Sequence, residues 1–199
     1  MNHNGRSVAP RATVTSPATS VPVRSGLLQA GSVVFFTLLT AVGANVRIPL
    51  EPVPITLQTL FVLLAGAVAG PALGALSQGF YLAGGVLGIP LLAGSVAGLA
   101  VLSGPTGGYL LGFVVAAWFV GRYIGRRSGF AWSVCVFGVG STLILALGVV
   151  HLALFTTGDL AAAFRLGFLP FVPGDIAKTV AAASIYGSYR RLRAVRASV

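Results

Sequence analysis

Asp175 and Lys178 stand three residues apart in the stretch Pro173-Gly174-Asp175-Ile176-Ala177-Lys178. On a helix that spacing puts both side chains on one face. Pro173 suits a first helical turn, where its missing N–H is not needed. The apolar run that follows, to Tyr189, reads as the helix. Lys178 is the only lysine of the chain, and Asp175 is one of three acidic residues. Ionisable groups inside a membrane segment are costly, so they face a cavity or the bundle interior. A carboxylate accepts hydrogen bonds, and an ammonium donates them to carboxylate or carbonyl oxygens. The pair is therefore read as holding something polar. The competing reading is a helix cap with an internal ion pair. The helix dipole alone favours an acid at Asp175, but it gives little reason for a lysine one turn further in.

The elements that must carry this pair belong to a membrane. Of 199 residues, 56% are hydrophobic and 8% charged, against about 25% charged in an average soluble domain. The mean hydropathy is +0.93. These values predict an all-α integral membrane protein in a lipid bilayer. The net charge of +10 would point to nucleic acid in a soluble chain. Here the basic residues cluster at the ends of apolar runs, the topology signal of membrane proteins, so no nucleic-acid partner is expected. Cys135 is the single cysteine. It permits no intramolecular disulfide and reads as a small packing residue.

Residues 1–26 form a basic tail rich in Ser, Thr, Pro and Ala, expected to be disordered. A signal peptide is not expected, because the apolar run that follows is of full span length. Residues 27–189 are expected to form one membrane domain of six helices: Leu27–Val46, Ile55–Gly70, Ala72–Leu87, Gly107–Ile124, Ala131–Leu154 and Pro173–Tyr189. The second and third are short for a ~30 Å hydrocarbon core at ~1.5 Å per residue. Arg47–Pro54 holds three prolines and must be an extended or re-entrant loop. Residues 88–106 are rich in Gly but too apolar for a solvated loop. Irregular backbone of that kind is tolerated at membrane depth when it lines a cavity. Residues 190–199 read as a basic cytoplasmic tail.

Ten bases (Arg6, Arg11, Arg24, Arg122, Arg126, Arg127, Arg190, Arg191, Arg193 and Arg196) fall on one side of a six-span topology, against Arg47, Arg165 and Lys178. By the positive-inside rule both termini are cytoplasmic. Glu51, Asp159 and Asp175 then share the outer end of the bundle with those three bases. An outward-facing polar site requires such an end.

Three stretches together carry a resemblance. They are Val53-Pro54-Ile55-Thr56-Leu57-Gln58-Thr59, Gly104-Pro105-Thr106-Gly107-Gly108-Tyr109-Leu110-Leu111-Gly112-Phe113 and Pro173-Gly174-Asp175-Ile176-Ala177-Lys178. The Gly88-Ile89-Pro90 corner and Leu92-Ala93-Gly94 add to it. They resemble the BioY family, the biotin-specific S components of energy-coupling factor vitamin transporters, over about residues 27–189. The resemblance implies a six-helix protein in a bacterial or archaeal plasma membrane. It implies capture of biotin from outside, no ATPase of its own, no cofactor, and work with a coupling subunit and two ATPase subunits. It places Asp175 and Lys178 in the vitamin site. It also implies that the first outer loop and the one after the third helix close over the ligand.

Biotin offers a ureido group with two N–H donors, a carboxylate and an apolar ring and chain. Asp175 can accept the ureido hydrogen bonds. Lys178 can meet the carboxylate or the ureido oxygen. Gln58, Gln78, Tyr81, Ser95 and Tyr109 are polar groups within apolar runs that can complete the site, or else make ordinary interhelical hydrogen bonds. Arg47 can serve the carboxylate or pair with Glu51. Gly94 and Ser95 can offer backbone groups where a ligand comes close.

Other chemistries are poorly supplied. Gly104-Pro105-Thr106-Gly107-Gly108 lacks the Lys-Ser/Thr of a phosphate-binding loop. His151 lacks the neighbours a zinc site needs, so no metal is expected. A membrane enzyme using His151 and Asp159, and a carrier that works without partners, are the alternatives. Thr37/Ala41 and Thr40/Ala44 set a small-residue stripe on the first helix. In the resembled family it docks to the coupling subunit; internal packing is the competing role.

Overall fold

A computed structural model describes residues 23–93, 98–156 and 158–197. The described residues form a bundle of helices with one two-stranded hairpin. Its helices are α1 (Val23–Asn45), α2 (Gln58–Ala69), α3 (Pro71–Val86), α4 (Ala100–Ser103), α5 (Gly107–Tyr123), α6 (Phe130–Ala153), α7 (Leu160–Gly167) and α8 (Val172–Ala197). Between α1 and α2, β1 (Arg47–Ile48) pairs antiparallel with β2 (Ile55–Thr56), Arg47 opposite Thr56. The proline-rich loop is thus the tip of a hairpin.

Several boundaries differ from expectation. α1 starts at Val23 rather than Leu27, since nothing after Pro22 breaks a helix; the rest of the expected tail lies outside the described residues. α8 runs to Ala197 instead of stopping at Tyr189. Arginines are good helix formers and favour a helix C-terminus, so the basic end stays helical. α7 was not expected at all. Asp159 starts it by accepting from the backbone N–H of Ala161 (2.9 Å) and Ala162 (3.0 Å), a side-chain cap.

Among the described residues, four helical stretches are long and apolar enough to cross a membrane: Gly26–Asn45, Gly107–Arg126, Phe130–Ala153 and Leu160–Arg196, the last holding α8. The expected second and third spans are α2 and α3, of 12 and 16 residues. Gly70 separates them, at φ +87°, a conformation that favours glycine. Pro71 then opens α3. This Gly-Pro break keeps both helices short. Large apolar side chains are exposed along the long helices, for example Phe35 and Leu38 on α1 and Val150 on α6. In a multi-pass membrane protein these face lipid.

α5 is central and packs against α2, α3 and α6, while α8 packs on α6 and α2. The small-residue stripe of α1 turns inward. Thr40, Ala41 and Ala44 are buried, and Thr37 Oγ1 donates to the Ser77 carbonyl of α3 at 2.9 Å. The internal-packing role is the one seen here. Cys135, expected as a packing residue, is exposed on α6. One core cluster, with Val120, Phe137 and Tyr186, contributes no residue to the cavity described below. The other, with Tyr81, Leu92, Tyr109, Phe113 and Ile144, surrounds it.

Candidate binding site

At the end of the bundle where α1 finishes and α8 begins lies a cavity of about 720 Å³. Small-molecule sites commonly measure about 300–1,000 Å³. The β1–β2 hairpin, the start of α2, the turn at Leu92–Ala93, α4, the start of α5, the middle of α6 and Phe171 and Lys178 line it. Its walls are mainly apolar, from Leu92, Val101, Leu110, Phe113, Ile144 and Phe171. Polar groups come from Arg47, Glu51, Thr56, Gln58, Thr59 and Lys178. That composition suits a ligand with an apolar body and a few strong hydrogen-bonding groups.

Lys178 is buried and reaches the cavity held at both sides. Its Nζ lies 2.6 Å from Asp175 Oδ1 and donates to the Thr56 carbonyl at 3.2 Å. An ammonium has three N–H donors, so one stays available to a ligand. Asp175 does not line this cavity. Its other oxygen, Oδ2, accepts from Ser141 Oγ of α6 at 2.6 Å. Asp175 faces instead a groove of about 310 Å³ between α6 and α8. The expected pair therefore divides its labour. Lys178 meets the cavity, and Asp175 stands behind it.

Gln58 lines the cavity inside a hydrogen-bonded chain. Thr56 Oγ1 donates to Gln58 Oε1 at 2.8 Å. Gln58 Nε2 donates to the Tyr81 hydroxyl, which donates to the Leu91 carbonyl at 3.3 Å. The chain fixes the amide and leaves one of its N–H groups free. Tyr81 is fully buried behind Gln58 and orients it rather than lining the cavity.

Tyr109 lines the cavity with its ring, which stacks near Phe171 at a centroid distance of 6.0 Å. Its hydroxyl is spent on the Gly167 carbonyl at 2.8 Å, so the site sees an apolar face. Arg47 lines the cavity mouth and forms no ion pair with Glu51, which lines it too. Gln78 does not line the cavity. It is fully buried beside α1, accepting from Thr40 Oγ1 at 3.3 Å and donating to Ser77 Oγ at 3.1 Å. The bond with Thr40 is the interhelical contact that was its alternative reading. Gly94 and Ser95 lie outside the described residues.

His151 Nε2 pairs with the Gly104 carbonyl at 3.0 Å, and Asp159 is committed to capping α7. The two are tied to separate backbone groups, which leaves the acid–base reading without geometric support. The bare Gly107 and Gly108 have another use. A Cβ on Gly108 would collide with Cβ of His151 and the Leu147 carbonyl, so the Gly-Gly pair lets α5 close on α6.

Sequence reasoning missed three groups. Thr56 supplies both a hydroxyl and the carbonyl that takes Lys178. Ser141 holds Asp175. Thr59 lines the cavity with a buried Oγ1 that has no partner among the described residues. Such a group costs about 1–3 kcal/mol until something bonds it. Thr56 and Thr59 sat in the quoted motif beside Gln58; Ser141 carried no signal beyond being polar in an apolar run.

A BioY family profile matches residues 15–195. The chain belongs to the BioY family. It is 41% identical over 170 residues to a protein of Thermotoga maritima named biotin transporter BioY, covering 85% of this chain and 98% of that one. It is 42% identical over 154 residues to a probable biotin transporter BioY of Pyrococcus horikoshii, covering 77% and 90%. In three dimensions it is similar to a crystal structure of the S-component for biotin from an ECF-type ABC transporter. That match has a TM-score of 0.78 and 25% identity, and covers 84% of this chain and 93% of that chain. The relatives of this BioY-family chain are transporters, and it is not an enzyme.

Proposed function

We propose that this chain is the biotin-capturing S component of an energy-coupling factor importer. The observation that carries the reading is Lys178, the one lysine, held between Asp175 and the Thr56 carbonyl at the wall of a mainly apolar cavity. The relatives named as biotin transporters support the choice of ligand. The apolar walls take the fused ring and chain. Gln58, Thr59 and Lys178 address the ureido group or the carboxylate, and Arg47 at the mouth is a second cation for the carboxylate. Asp175 acts through Lys178. No cofactor takes part.

On this reading α1, α2, α3, α5, α6 and α8 are the six membrane passes, the bilayer thinning locally around the short α2 and α3. The cavity opens outward, and both termini lie in the cytoplasm of a bacterial or archaeal cell. On this reading inward delivery is the work of a coupling subunit and two ATPase subunits, as the family resemblance implies; this sequence carries no phosphate-binding loop.

Orientation is tested by labelling. In a Cys135→Ser background, cysteines placed at Arg126 and at Glu51 are expected to react with impermeant reagent from the inside and the outside respectively. Reaction of both from outside overturns the topology. The ligand is tested by melting. Biotin is expected to raise the melting temperature of the purified chain, because a ligand of the native state at 100 times its Kd stabilises by about 2.7 kcal/mol. An unchanged melting curve at millimolar biotin contradicts the reading.

A further inference from the structure

Hydroxyls in apolar helices ordinarily turn back to bond their own helix. This bundle follows that habit. On α6, Ser133 Oγ donates to the Gly129 carbonyl at 3.1 Å and Thr142 Oγ1 to the Gly138 carbonyl at 2.9 Å. On α8, Ser184 Oγ donates to Val180 at 3.0 Å. Ser141 departs from it. Its hydroxyl crosses to α8 and donates to Asp175 Oδ2 at 2.6 Å. Both partners are buried, with 5% and 6% of their surface exposed.

Resting on the function proposed above, we infer that Ser141 is a positioning residue for the binding lysine, acting through Asp175. Asp175 Oδ1 holds Lys178 and Oδ2 is held by Ser141. Oδ1 has the ion pair and no hydrogen bond among the described residues, so the Ser141 bond to Oδ2 is what fixes the carboxylate about its last torsion. Lys178 is then aimed between Asp175 and the Thr56 carbonyl. One relay, Ser141 to Asp175 to Lys178 to Thr56, thus ties α6, α8 and β2 around the cavity. Remove the Ser141 donor and Asp175 can turn into the groove behind it, drawing the ammonium from the cavity wall.

The test compares wild type, Ser141→Ala, Ser141→Thr, Asp175→Ala and the double variant Ser141→Ala/Asp175→Ala, each as folded, monodisperse full chain. Hydrogen bonds to charged groups are strong enough that Ser141→Ala is expected to weaken biotin binding roughly ten-fold. Ser141→Thr keeps the hydroxyl, and its methyl has room in the groove, so affinity returns to within about two-fold of wild type. If Ser141 acts through Asp175, Ser141→Ala adds nothing to Asp175→Ala. Wild-type affinity in Ser141→Ala, or effects that multiply in the double variant, overturns the inference.

A second readout needs no biotin. Lys178 is the only lysine, so chain made with ¹³C-labelled lysine gives it a ¹³Cε signal of its own with the ammonium intact. That signal is expected to shift in Ser141→Ala and to stay in place in Ser141→Thr. An unmoved signal in Ser141→Ala overturns the positioning role even if that variant binds poorly. If the signal moves as expected while wild type binds no biotin, the relay stands and the proposed ligand falls.

Discussion

Lys178→Ala is expected to abolish most biotin binding while leaving a folded bundle. The lysine side chain is only 10% exposed and carries an ion pair and a backbone hydrogen bond. Truncating one partner of a buried, hydrogen-bonded charge pair costs about 2–5 kcal/mol, much of it from the charge left behind. At about 1.4 kcal/mol per tenfold, that is a weakening of roughly thirty- to several-thousand-fold. The fold should survive, because Lys178 belongs to neither core cluster and alanine suits a helix. Asp175→Asn keeps an acceptor for the ammonium and should lose less than Asp175→Ala. Titration of folded, monodisperse variants decides the matter. Wild-type affinity in Lys178→Ala would remove the lysine from the site.

Gly66→Val is expected to yield no folded protein. A Cβ on Gly66 would collide with the Ala117 carbonyl oxygen of α5. The obstacle is backbone, so no side-chain rotation relieves it. Overpacking a well-packed site costs about 1–3 kcal/mol and sometimes more. Here α2 must also move off α5, and Gln58 and Thr59 move with it. Gly66→Ala should fold with a lowered melting temperature and weakened biotin binding. Gly79→Ala on α3 is the control. Nothing lies within 4 Å of a Cβ there, and alanine is favoured over glycine in a helix by about 1 kcal/mol. Size-exclusion profiles and melting curves of the three separate close helix approach from a general intolerance of substitution. A folded Gly66→Val would show that α2 and α5 are not in tight contact.

The sequence made some of this legible and left some of it dark, for identifiable reasons. Asp175 and Lys178 stood out because charge is rare in this chain and their spacing defines a helix face. The long helices stood out by hydropathy and length. Gln58 and Gln78 are both glutamines in apolar runs, and only the neighbour each meets distinguishes a cavity wall from an α1–α3 contact. Ser141 was invisible for a related reason: a serine in an apolar helix usually bonds its own backbone, and nothing local says that this one reaches across to α8. α7 was missed because its eight residues make barely two turns between longer apolar runs; its amphipathic pattern and the Asp159 cap were the available clues. The length of α8 was underestimated because arginines were read as the end of a span, although they continue a helix readily.

The central claim is that the cavity at Lys178 binds biotin through its carboxylate or ureido group. Its most direct test is an equilibrium titration of the purified wild-type chain with biotin, run beside biotin methyl ester. The account predicts saturable binding of one biotin per chain, without nucleotide. The ester should bind more weakly if Lys178 or Arg47 reads the carboxylate, and equally if neither does. No saturable binding of either compound would contradict the account.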